Sequence, residues 1–544
     1  MTAIAPPARR WVFGPLPDLL FGCGLGYVLL IATIPWLPLG VEGLAAAGLI
    51  ASLVFAAPHY GATLVRVYGH RRDRRKYAFF AVWASAIVWL GFVFGLHDVL
   101  IGSFLITLYF TWSPWHYTGQ NYGLAVMFLR RAGVPFSVAT KRLLYGSFVL
   151  SYVLTFLYLH QHVEQPHYGL GSFAGTPYRF LHLGIPDAAY GGLFGGILAV
   201  WGALLLATGV ALVRSGARPA DLVPLAALEV LQALWFAVPY TWAWATGTLL
   251  ESKSVAFLFI WAIVGHSVQY LWITTYYAVG GEGFRARLGY WLAVLAAGSA
   301  VWTLPALVFA PGLLGTHAYG TGLFLMVAAA VNLHHFILDG AIWKLRDTGV
   351  GSVLLAAPAA GEDDDTPRSR PLRAALWTVG LACTALAFYG AWQSIEIGAA
   401  ARSGDVEARL EAARRLAAIG RDDPRYHLAR AQELVAAGDT EAALLALRAS
   451  LAVEPSAAAW VGLGVVLDSL GRSEEALQAF GHGVALAPAD ARAWHLLGRT
   501  LLRQGRLDAS GEALRRAAAL APDDAGVAED LARVRARRAE SSGR

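Results

Sequence analysis

The chain has 544 residues, 57% hydrophobic and 15% charged, with a formal net charge of +6 and two cysteines. This composition excludes an ordinary soluble globular protein and predicts a polytopic membrane protein with a polar domain attached. The basic residues sit in short loops, which bears on topology and not on nucleic acid, and Cys23 and Cys383, both in apolar segments, exclude a disulfide framework or a thiolate metal site.

Apolar runs of about 20 residues mark helical spans. They predict helices near 17–36, 42–66, 77–97, 99–129, 142–160, 188–213, 221–248, 254–279, 287–310, 319–344 and 373–396, about eleven in all. Arg9 and Arg10 precede the first run with no clean small-residue cleavage site after it, so it reads as a retained span and not a removed signal. Pro114 predicts a kink in the fourth. Basic residues cluster in alternate loops: Arg9 and Arg10, Arg66 to Lys76, Arg130 to Arg142, Arg214 and Arg218, Arg285 and Arg287, and Lys344 to Arg373, with Lys253 and Arg179 as exceptions. The positive-inside rule then makes the N-terminus cytoplasmic, and an odd number of spans puts the C-terminal domain on the outer face. The external loop from His160 to Asp187 is rich in His, Tyr and Gly. The cytoplasmic segment 351–370 contains Glu362 and Asp363 to Asp365 and reads as a solvated linker before the last span.

The expected organisation is all-α: a transmembrane bundle over 1–398, then a soluble helical solenoid over 402–538. In the solenoid Tyr426, Trp460 and Trp494 recur at 34-residue intervals, and Pro455, Pro488 and Pro522 close successive units. Trp460-Val461-Gly462-Leu463-Gly464 and Trp494-His495-Leu496-Leu497-Gly498 fit the opening of a tetratricopeptide repeat. The first unit departs from it, with Ala429-Arg430 where Leu-Gly is expected. The segment resembles the tetratricopeptide family. That resemblance implies a concave surface for a protein or peptide partner, with flanking helices (405–420 and 523–538) as caps.

Five histidines interrupt the apolar spans: His59, His116, His266, His334 and His335. Ionisable groups in a span are costly and face a bundle interior, and imidazole is a common ligand for iron, copper or zinc. His59, His116, His266 and His335 fall on spans predicted to run in the same direction. His59 stands about 10 Å before Arg66 and His335 about 13 Å before Lys344 at the helical rise, and His116 and His266 sit nearer the middle of longer helices, so all four fall in the central or cytoplasmic half of the membrane. Their i+4 neighbours Gln120, Tyr270 and Asp339 lie on the same helix faces. Gln120, Glu229, Gln269, Asn332 and Asp339 can supply the hydrogen bonds that orient metal-bound imidazoles. Gly61, Gly119 and Gly265 allow close helix approach. The alternative for any single histidine is a buried hydrogen-bonding role; the set of four favours a metal. His334 and His335 point about 100° apart on a helix, so one of them joins a given site. Asp339 favours His335, leaving His334 as a further ligand or proton relay. His70 reads as solvated, His97-Asp98 as a hydrogen-bonded cap, and Trp112, Trp115, Tyr276 and Tyr277 as packing aromatics. His160, His162 and His167 have metal-compatible spacing but lie in a loop.

Pro58-His59-Tyr60-Gly61-Ala62, His116-Tyr117-Thr118-Gly119, His266-Ser267-Val268-Gln269-Tyr270 and His334-His335-Phe336-Ile337-Leu338-Asp339 resemble, in order, motifs of the bacterial integral-membrane beta-carotene dioxygenases of the Brp/Blh type. The resemblance implies non-haem iron on His59, His116 and His266, oxygen chemistry on a lipophilic isoprenoid or acyl substrate drawn from the bilayer, and a bacterial inner-membrane location. It covers short islands in the first 350 residues. Tyr270 stands where the family has a second histidine, so His335 completes the site or Tyr270 serves as ligand or proton donor. Glu229 is a second candidate catalytic group.

Three other readings use the same chain. A non-enzymatic membrane scaffold presenting the repeats leaves the histidines unexplained. A lipid-linked sugar transferase needs an acidic motif in the first external loop, where Leu37 to Glu42 is short and nearly uncharged. Haem between two histidines would use the same residues.

Overall fold

A computed structural model describes residues 10–37, 40–69, 75–161, 170–173, 176–248, 253–280, 282–310, 313–315, 319–344, 350, 353–354 and 370–542. The chain forms two compact units. The first comprises 1–172, 176–305 and 321–395, and the second 173–175, 306–320 and 396–544. The architecture is helical; among the described residues the strands are Ser172–Phe173 and Thr176–Pro177.

The first unit opens with α1 (Pro15–Gly22) and α2 (Leu25–Thr33), bent by 65°. Gly24 breaks them with φ +75, a conformation that glycine adopts without penalty. The buried carboxylate of Asp18 accepts from Val12 N–H, Phe13 N–H and the Trp272 indole, which pins the segment before α1 to the bundle. Then come α3 (Gly43–Gly69), α4 (Phe79–Gly95), α5 (Val99–Arg131), α6 (Val138–Leu159), α7 (Asp187–Arg214) and α8 (Pro219–Phe236). After them follow α9 (Val238–Thr246), α10 (Lys253–Val279), α11 (Phe284–Phe309), α12 (Thr321–Ile342) and α13 (Arg370–Ser403). Asp98 and Ser137 cap α5 and α6 by accepting N–H groups of Ile101 and Thr140.

Among the described residues, seven helices are long and apolar enough to cross a membrane, eight if the bent pair α1–α2 counts as one span. The expected eleven is not reached, for local reasons. α4 is too short; α5, although 33 residues long, carries too many polar groups. The run 221–248 divides at Ala237 ahead of Pro239 into α8 and α9. α10 is outside the seven, and its side chains are described from residue 262. The segment around Glu362 to Asp365, with His70, His162 and His167, lies outside the described residues.

In the second unit, α14 (Val406–Ala417) precedes three helix pairs: α15 (Pro424–Ala436) with α16 (Thr440–Val453), α17 (Ala457–Ser469) with α18 (Ser473–Leu486), and α19 (Ala491–Arg503) with α20 (Leu507–Leu520). α21 (Ala525–Ser542) ends the series. The repeat is written in its punctuation. Gly438, Gly471 and Gly505 close the first helix of each pair with φ +81, +76 and +72. Asp423, Ser456 and Asp490 cap those helices by accepting backbone N–H groups. Gly464 and Gly498 admit the partner helix: a Cβ there would lie 2.6 Å from the Phe480 ring and from Leu514 Cγ. The core of Leu447, Leu463, Val466, Leu467 and Phe480 continues from one pair into the next.

Candidate metal centre

Four helices each deliver one histidine to a common point. His59 comes from α3, His116 from α5, His266 from α10 and His335 from α12, and one ring nitrogen of each lies within 4.8 Å of the others. His59, His266 and His335 are each 2% exposed. Ring centroids are 4.3 Å apart for His59 and His335, 4.8 Å for His59 and His266, and 5.0 Å from His116 to both His266 and His335. Close backbone approach sets this geometry. At Gly61, two residues past His59, a Cβ would lie 1.8 Å from the Val294 carbonyl oxygen of α11; at Gly298 one would lie 1.8 Å from the Ala57 carbonyl oxygen. Gly265 lets the Tyr27 and Trp235 rings reach α10 beside His266. Gly119 does not serve helix approach; a Cβ there meets nothing within 4 Å, because it faces a cavity.

Several nitrogens of these rings lack partners: His59 Nδ1, His116 Nε2 and both nitrogens of His266 are buried without a hydrogen bond, while His59 Nε2 meets His335 Nε2. An unpaired buried polar atom costs about 1–3 kcal/mol. One nitrogen from each of the four rings within 4.8 Å of the others makes an arrangement that a shared cation would satisfy. Four imidazoles are a donor set suited to zinc, copper, iron or nickel.

Around them lies a ring of groups one helical turn on. Tyr270 and Asp339 are there as their spacing predicts, and with them Thr63, i+4 from His59, a position the sequence alone does not single out. Thr63 Oγ1 lies 2.6 Å from Tyr270 Oη, 2.9 Å from Asp339 Oδ1 and 3.0 Å from His335 Nδ1. Tyr270 donates to Asp339 Oδ1 at 2.7 Å, and the Trp343 indole donates to Tyr270 Oη at 3.1 Å. With the Thr63 hydroxyl donating to Asp339, its oxygen is free to accept from His335 Nδ1–H. That tautomer turns the His335 Nε2 lone pair toward the other histidines, as in metal-ligating histidines generally. Tyr270 thus belongs to the hydrogen-bonded ring.

The other predicted residues divide. Gln120 donates to the His266 carbonyl oxygen and to Gln269, so it braces the α10 backbone and not an imidazole. Asn332 accepts from Tyr60 Oη, whose ring packs 5.2 Å from His335, and so stands two steps from the cluster. His334 turns away, with Nε2 3.0 Å from Tyr68 Oη. Glu229 is not brought to the cluster; it accepts from Ser147 of α6 at 2.8 Å. His160 is a loop staple between Thr111 Oγ1 and Leu183 N–H. Asp98 is a helix cap, as read.

A cavity of about 320 Å³ opens beside His116, Tyr270 and Asp339. Trp112, Trp115, Phe336 and Trp343 wall it, and Gly119, Gly123 and Gly340 leave it room. A second, of about 370 Å³, touches the other side of His335 between Thr63, Tyr68 and His334.

Comparison with known proteins assigns the C-terminal region. Residues 428–482 and 470–525 match the tetratricopeptide-repeat family model. Similar solved structures include a MamA protein (17% identity, TM-score 0.25, covering 27% of this chain and 80% of that one). MamA from Desulfovibrio magneticus RS-1 has 25% identity and TM-score 0.25, over 28% of this chain and 88% of that one. YrrB, described as a tetratricopeptide protein with an unusual peptide-binding site, has 17% identity and TM-score 0.23, over 28% and 79%. No curated protein sequence matches the chain. The C-terminal region is therefore a tetratricopeptide domain, and the resemblance of the helical bundle to beta-carotene dioxygenases finds no support in these comparisons.

Proposed function

We propose that this chain is a membrane protein with two working parts: a tetratricopeptide domain that binds a protein or peptide partner, and a helical bundle that holds one first-row transition-metal ion on His59, His116, His266 and His335. The repeat-family match supports the first part and gives the scaffold role the broader support. The observation that carries the second is the convergence of four buried imidazole nitrogens within 4.8 Å.

The donor set fits a bare ion and not a haem. A haem fills four equatorial positions itself and leaves two axial sites for protein ligands, whereas four imidazoles gather here. Histidine-held iron, when bound, would supply oxygen activation. The chain's own residues do the rest of the work in an oxygenase reading. His335 is oriented by Thr63, Tyr270 holds a proton within reach of Asp339, and the aromatic cavity excludes water around a lipophilic isoprenoid or acyl substrate.

Metal analysis of the purified full-length protein tests the centre. About one ion per chain is expected, with no Soret band; a metal-free wild type that cannot be reloaded would sink this half of the proposal. Truncation after Arg402 tests the other half. Loss of a co-purifying partner with metal retained fits two separable parts, and retention of the partner by the truncated chain counts against the repeat-binding role.

A further inference from the structure

Asp339 was placed by its spacing among the groups that orient the histidines. Its two oxygens have different surroundings. Oδ1 is used twice, by Tyr270 Oη at 2.7 Å and Thr63 Oγ1 at 2.9 Å. Oδ2 points the other way, 3.4 Å from His335 Nε2 and 3.9 Å from His116 Nε2.

Those two nitrogens are the ones expected to face an ion. His335 Nδ1 is engaged by Thr63 at 3.0 Å, and His116 Nε2 is buried without a hydrogen bond. A carboxylate oxygen facing two imidazole nitrogens is held there by a proton or a cation between them. Ligands about 2.1 Å from one ion stand roughly 3.0 Å apart at an angle of about 90° and roughly 4.2 Å apart at about 180°, with intermediate angles between. Both Asp339 distances fall in that window. Asp339 also lines the cavity together with His116 and Tyr270, so its carboxylate stands on the side of the cluster that a bound molecule would approach.

We infer that Asp339 is itself a metal ligand, giving a four-histidine, one-carboxylate centre, and that it is the displaceable ligand on the cavity side. Tyr270 and Thr63 hold the carboxylate through Oδ1 and keep it in place when Oδ2 leaves the ion. This inference rests on the four-histidine reading, and the experiment separates the two.

Full-length protein in detergent is loaded with Co²⁺, whose visible bands strengthen as coordination falls from five to four. Wild type is expected to bind one Co²⁺ with weak five-coordinate bands. Asp339→Asn keeps the shape and an acceptor for Tyr270, and is expected to show the stronger four-coordinate bands and affinity lowered by more than about 100-fold. Thr63→Ala and Tyr270→Phe remove only support, and are expected to lose about 10–100-fold while keeping the wild-type spectrum. Formate added to Asp339→Ala is expected to restore the weak bands. An Asp339→Asn or Asp339→Ala protein that binds Co²⁺ with the wild-type spectrum overturns the ligand role and leaves the four-histidine centre standing. Wild type that binds no Co²⁺ overturns both.

Discussion

The Nε2 atoms of His59 and His335 lie 2.7 Å apart in the bundle interior, although 276 residues separate them in the chain. Two lone pairs cannot meet at that distance. Without an ion one nitrogen must donate, and His335 already has a use for its proton at Nδ1 beside Thr63. His59 is then the donor at Nε2, and metal loading is expected to move that proton to Nδ1, which has no other partner. The ¹⁵N spectrum of the imidazoles is expected to show that change of tautomer at one histidine on titration with Zn²⁺. His59→Ala and His335→Ala are each expected to reduce metal stoichiometry at least about tenfold; full retention in both would remove the centre.

Thr63 is 1% exposed and ties α3 to α12 through one hydroxyl, which meets both His335 Nδ1 and Asp339 Oδ1. Thr63→Val keeps its size and removes the bonds. Leaving the Asp339 carboxylate and the His335 ring short of a partner is expected to cost about 1–3 kcal/mol. The expected readout is a lower melting temperature in detergent; Thr63→Ser, which restores the hydroxyl, recovers it.

Gly61 and Gly298 pack α3 directly on α11, with no space for a methyl group on either helix. Gly61→Ala must push the helix that carries His59 away from its neighbour. Overpacking of this kind costs about 1–3 kcal/mol and often more. Both a lower melting temperature and a lower metal content are expected, since the same shift moves a ligand. Gly119→Ala, whose new methyl meets open cavity, is expected to leave stability unchanged, and the pair measured together checks the assignment.

In the repeat domain, the hydrogen bond and charge of Asp422 raise the pKa of His427, with partial burial acting against them. Its Nε2 lies 2.9 Å from Asp422 Oδ1. Because the folded value is raised, the stabilisation is fully present below the ordinary histidine pKa of about 6.5 and is lost as pH rises through the raised value. Melting of a fragment spanning residues 402–542 is expected to shift to lower temperature as pH rises from 6 to 8. Asp422→Asn should flatten the dependence, and an unchanged slope in that variant would assign it elsewhere.

The sequence by itself determined the repeat domain, because its signals are local. A 34-residue period, capping Asp and Ser residues and helix-ending glycines act within a turn or two of where they stand. It also named the four histidines and three of their i+4 neighbours, since a helix fixes what shares a face. What it missed, Thr63, obeys the same i+4 rule; a lone threonine in an apolar run carries no chemical signal until His335, Tyr270 and Asp339 come around it. Only the tertiary structure decided that His335 joins the cluster while His334 turns to Tyr68, that Glu229 stands apart beside Ser147, and that Gly61 brings two helices together while Gly119 opens a cavity. Adjacent residues on one helix, or glycines in similar contexts, are equivalent until neighbouring helices choose a face. That choice depends on packing among segments hundreds of residues apart, which no local pattern records.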